Sequence, residues 1–87
     1  MTDPDASALE AIGLRKGEQV RFRRVDRARW QLGSLHRLER DGSLRITDVD
    51  GSARTIPLAL VEVRVKGSRW EPAADRAGRA QQLTLSW

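Results

Sequence analysis

Residues 41–65, DGSLRITDVDGSARTIPLALVEVRV, restrict the possible folds of this chain more than any other stretch. Two alternating runs, residues 43–49 and 53–56, are joined by Asp50-Gly51. Asp-Gly between β-rich runs is a strong hairpin signal, because both turn positions tolerate positive φ. Asp41-Gly42 opens the stretch and turns an earlier strand into it. Pro57-Leu-Ala-Leu60 is too short for an α-helix. It suits a single 3₁₀ turn, with proline early, where its missing N–H costs nothing. Val61, Val63 and Val65 then alternate with Glu62 and Arg64 as a last strand. Hairpin, helical turn and strand together make the back half of a small β-barrel.

The front half precedes them. From Gly17, Val20 and Phe22 alternate with Arg21 and Arg23, giving a strand with one core face and one cationic face. Residues 26–29 are a polar connection, and Trp30 begins the next strand. Its apolar spacing of 30, 32, 35 and 38 breaks period two after Leu32, so a bulge or strong bend is expected. Gly33 permits a close strand crossing there. Earlier still, Asp3-Pro4 reads as an N-cap with proline at the first helical position, and Gly13 as a stop. Ala8, Leu9, Ala11 and Ile12 give that short helix one apolar stripe, which plugs an open barrel end or receives a partner helix.

The expected fold is mainly β: a five-stranded SH3-like barrel with a short N-terminal helix and a helical or extended C-terminal tail. The expected organisation is a helical segment over residues 1–14, a barrel over 15–66 and an extension over 67–87. In the extension, residues 67–72 leave the barrel and Trp70 folds back to cover it. Residues 73–81 read as an Ala-rich helix in which Gly78 costs about 1 kcal/mol relative to Ala.

Lys16-Gly17-Glu-Gln-Val20-Arg-Phe22, Trp30 with Gly33 and Leu35, Asp41-Gly42-Ser-Leu44-Arg-Ile46, Asp48-Val-Asp-Gly51, Ile56-Pro57-Leu58 and Val61-Glu62-Val63 together resemble a Tudor-type domain over about residues 16–66. Trp30 matches the first aromatic of that family's cage for methylated cations, and so marks a possible pocket on the barrel face. Val49-Asp50 stands where a further cage aromatic belongs. The only other aromatics are Phe22, Trp70 and Trp87, so the resemblance does not extend to methyl reading. It implies instead the bacterial Tudor-like and KOW-like modules, which dock on nucleic acid, RNA polymerase or ribosomes.

The chain ends Gln82-Leu83-Thr84-Leu85-Ser86-Trp87, which is similar to the peptide by which bacterial proteins bind the DNA polymerase sliding clamp. An extended peptide of this kind offers the Gln82 amide for two directional hydrogen bonds. Leu85 and Trp87 are anchors for a preformed pocket, with Leu83 beside them. The same alternation of Leu83, Leu85 and Trp87 also fits a sixth strand on the barrel edge, and both readings stand at the level of sequence.

Charge divides the chain similarly. Residues 1–14 carry three acids and no base; residues 15–66 carry 13 bases against 7 acids. A basic barrel suits phosphate backbones or an acidic protein face, and Arg21, Arg23, Arg24, Arg27 and Arg29 are the candidate contacts. Catalysis has few parts to use: there is no Cys or Tyr, and His36 is the only imidazole. Asp48 and Asp50 lack the bidentate Glu of a calcium loop, since Ala59 stands at that position, and read as turn formers. No run approaches the roughly 20 apolar residues of a membrane span. The expectation is therefore a cytoplasmic, monomeric, cofactor-free binding module without metal, acting in DNA replication or repair through the clamp. The alternative is a transcription- or translation-associated module with a structural tail.

Overall fold

The structure is a computed structural model that describes the backbone of residues 4–85 and the side chains of residues 7–80. Helix α1 (Pro4–Ala11) is followed by strands β1 (Gln19–Phe22), β2 (Gln31–Leu38), β3 (Leu44–Asp48) and β4 (Ala53–Ile56). A 3₁₀ turn (Leu58–Leu60) leads to β5 (Val61–Arg64), β6 (Trp70–Pro72) and helix α2 (Ala73–Leu85). The expected N-cap Asp3 lies outside the described residues.

All six strands form one antiparallel sheet in the order β4-β3-β2-β1-β5-β6. Alternation decides which face is core. Val20 and Phe22 of β1, Leu44 and Ile46 of β3, and Val61 and Val63 of β5 are all buried. Each such side chain contributes roughly 1.5–3 kcal/mol of burial. Leu9 and Leu14 close this core from the α1 side. The helix stops as expected: the Leu14 N–H donates to Leu9 O at 2.9 Å and the Gly13 N–H to Glu10 O at 2.9 Å, with Gly13 at φ +77°. That bond pair is the Schellman ending, and it places Leu14 against the core.

The broken period of β2 is a register shift between Leu35 and Arg37, with His36 the extra residue. Gly33 is where the strands cross closely. A Cβ there would lie 2.7 Å from both Ile46 Cγ2 and Thr47 O. The Asp50-Gly51 hairpin forms with a different turn from the one expected. Only Gly51 has positive φ (+84°), and its N–H donates to Asp48 O at 3.0 Å while the Asp48 N–H donates to Ser52 O at 2.9 Å. The Asp48 carboxylate enforces this longer loop by accepting the N–H groups of Asp50 and Ser52.

The strand count corrects the sequence expectation. Six strands replace five, and no ladder joins β4 to β6 among the described residues, so the sheet is open rather than a closed barrel. Residues 67–72 do not leave the sheet. The Val65 N–H donates to Arg69 O at 2.9 Å, and the chain returns as β6 with Arg64 opposite Trp70. Three residues ending in proline carry little strand signal. Pro72 is tolerated because β6 is an edge strand. Helix α2 is also longer than residues 73–81: its backbone continues through Leu85. The strand reading of residues 82–85 is replaced by helix. Among the described residues, no helix is long and apolar enough to cross a membrane.

Candidate binding surface

Because Val20 and Phe22 point inward, Arg21 points outward, with Leu32 of β2 on one side and Glu62 of β5 on the other. Its Nε donates to Glu62 Oε1 at 2.7 Å, and its Nη2 contacts the same oxygen. The Arg21 guanidinium carbon lies 4.5 Å from the ring centroid of Trp30 and 4.9 Å from that of Trp70. Arg23 sits 4.4 Å from the Trp30 centroid and donates from Nη2 to Asp26 Oδ1 at 2.9 Å. The contacts run Arg23, Trp30, Arg21, Trp70 in one chain of cation–π pairs. Both guanidiniums are thus satisfied within the molecule, apart from the buried, unpaired Arg23 Nε.

The loop that follows behaves differently. Arg24, Arg27 and Arg29 are exposed, and among the described residues their side chains form no ion pair or hydrogen bond. Arg27 takes φ +70°, a left-handed conformation that costs a non-glycine residue about 1 kcal/mol. The five arginines grouped by sequence therefore separate into a structural pair and a free triplet. The triplet is able to bind anions.

Trp30 immediately precedes β2 rather than beginning it, and its ring carries the guanidiniums of Arg21 and Arg23. On β2 begins a shallow groove lined by Gln19, Leu32, Ser34, Thr47, Asp48 and Val49, in which Leu32 is 45% and Val49 77% exposed. Sequence reasoning did not assign Glu62, Trp70 or Leu32 to this surface. The outward register of Glu62 was readable from the Val61–Val63 alternation, but its pairing with Arg21 across 41 residues was not.

Of the tail residues, Gln82, Leu83 and Leu85 lie on the α2 backbone with side chains outside the described residues; Trp87 lies outside them altogether. The described part of α2 is fastened by Ala73 and Ala77, both buried, and by Arg76 and Arg79. Arg76 pairs with Glu18 and Glu71, and Arg79 with Glu71. The Arg79 and Arg76 guanidiniums beside Glu71 hold its carboxyl below the usual range. The Arg54 guanidinium and the loop N–H groups do the same for Asp48, and the Ser43 hydroxyl and N–H for Asp41. These carboxylates are structural fasteners. Among the described residues, no group of three or more His, Cys, Asp or Glu side chains could hold a metal ion.

Comparison of this chain with family models, with characterised proteins and with solved structures finds no match.

Proposed function

We propose that this chain is a non-enzymatic adaptor of bacterial DNA replication or repair. Its tail residues Gln82, Leu83, Leu85 and Trp87 dock on the polymerase sliding clamp, and an SH3-like module presents its β1–β2 loop to nucleic acid or an acidic protein surface. The order β4-β3-β2-β1-β5, with a 3₁₀ turn before β5, supports the SH3-like reading of the module. The free triplet Arg24, Arg27 and Arg29 carries its binding half. The clamp half rests on the match of the terminal six residues to the docking peptide. Titrating clamp with the full chain and with a form lacking residues 82–87 tests it. Binding by the full chain alone is expected, and equal affinity of the two forms overturns it.

A second reading has one observation in its favour: the backbone of residues 82–85 continues α2. In that reading the protein is a transcription- or translation-associated module whose sheet face binds and whose tail is structural. It expects deletion of residues 82–87 to lower the melting temperature and to leave binding of the module unchanged.

A further inference from the structure

We infer that the outer sheet face beside the β1–β2 loop is a docking surface for single-stranded nucleic acid, with phosphates on Arg24, Arg27 and Arg29 and bases against the exposed apolar pair of Leu32 and Val49. This deepens the binding half of the proposed function and rests on it. Two observations select the occupant. The first is charge: residues 21–30 carry five arginines against one aspartate, and after internal pairing three guanidiniums remain free. Such a cluster calls for an anionic partner.

The second observation is the apolar surface next to those charges. Leu32 and Val49 are both exposed on one shallow groove, and Leu32 lies three residues past Arg29 in the chain. A duplex presents phosphates and sugars to a flat protein surface and keeps its base faces stacked inside, so it has nothing to cover this pair. An unpaired strand offers both a charged backbone and free base faces, so one ligand meets the arginines and covers the apolar pair together.

The test is fluorescence anisotropy of the full chain with four probes of similar charge: a 15-nucleotide oligo-dT, its abasic counterpart, a 15-nucleotide self-complementary hairpin as the duplex and a poly-glutamate peptide of matched charge. Oligo-dT is expected to bind at least about ten-fold tighter than the abasic strand, since covering exposed Leu and Val side chains with base faces is worth about that much. Leu32→Ser is expected to remove most of that difference while leaving the abasic affinity unchanged. Equal affinity for oligo-dT and the abasic strand overturns the stacking inference, as does tighter binding of duplex, but both leave the basic-module reading standing. Tighter binding of poly-glutamate overturns the inference in favour of an acidic protein partner. Failure to bind any of the four overturns the inference and the binding half of the proposed function together.

Discussion

Arg21 and Arg24 lie three residues apart, yet the fold uses them in opposite ways. Arg21 is on a strand, paired with Glu62 and stacked over Trp30 and Trp70. Arg24 is in the following loop with an exposed side chain that touches no acid among the described residues. The difference shows that a count of positive charges measures composition, while binding capacity depends on which charges the fold leaves unneutralised. Arg21 joins β1, β5 and β6, whereas Arg24, Arg27 and Arg29 join nothing within the described residues.

That contrast breaks most visibly at Arg21. Its replacement leaves Glu62 half-buried without a partner and removes the cation between two indoles. Arg21→Ala is therefore expected to cost about 2 kcal/mol, combining an uncompensated carboxylate with lost cation–π contacts. Urea denaturation reads it directly. A change below about 0.5 kcal/mol would mean that Arg21 belongs with the free group. Arg21→Lys is expected to recover only part of the loss, because an ammonium cannot present two donors to Glu62 while lying flat between rings.

Carboxylates show the same division, and acid exposes it. Asp48 accepts from Asp50 N–H, Ser52 N–H and Arg54 Nε, while Asp50 is exposed two residues away. The folded pKa of Asp48 is depressed below its ordinary value of 3.8. Its contribution is thus fully present above the unfolded pKa and lost as pH falls through the folded one. Asp41 and Glu71 act in the same direction. Melting temperature is expected to hold from neutral pH down to about 5 and to fall below 4. In Asp48→Asn that acid-dependent fall should be smaller. An acid limb identical in the two proteins would refute the assignment.

Arg23 stands between the two groups. It stacks on Trp30 and pairs with Asp26, but its Nε is buried without an acceptor and Asp26 is largely exposed. An exposed ion pair is worth little. Arg23→Ala is expected to cost about 1 kcal/mol or less, chiefly through the lost stack on Trp30.

Local features of this fold were legible in the sequence, and distant ones were not. β4 is Ala53–Ile56, as the alternation predicts, and the 3₁₀ turn occupies Leu58–Leu60. Each depends on neighbouring residues: a β-branched run, a turn pair, an early proline. The bulge of β2 was legible because a break in period two must be accommodated somewhere, and Gly33 because close packing leaves no room for a Cβ. β6 was hidden because Trp70-Glu71-Pro72 is held in place by Arg21, Arg76 and Arg79, none of which is near it on a strand pattern. The continuation of α2 was hidden by Leu83 and Leu85, whose alternation suits a strand and an extended peptide equally. At the candidate surface, sequence grouped five arginines, but only the sheet register separates the fasteners from the free ones.

The smallest effect on stability is the sharpest test of the comparison. Replacing Arg24, Arg27 and Arg29 together by Gln removes three charges and no described contact, so stability is expected to stay within about 0.5 kcal/mol. Binding to a polyanion should respond strongly. Each phosphate contact releases condensed counterions, so the slope of log affinity against log salt is about −0.7 per contact for a single strand. Losing three contacts is expected to flatten that slope by about 2, whereas Arg21→Gln, measured where it remains folded, should leave it unchanged. If the triple variant kept the full salt slope, the loop would not be the cationic contact. If Arg21→Gln flattened the slope by the roughly 0.7 of one contact, the division between fastening and binding arginines would fail, because a guanidinium neutralised by Glu62 displaces no condensed counterion from a phosphate.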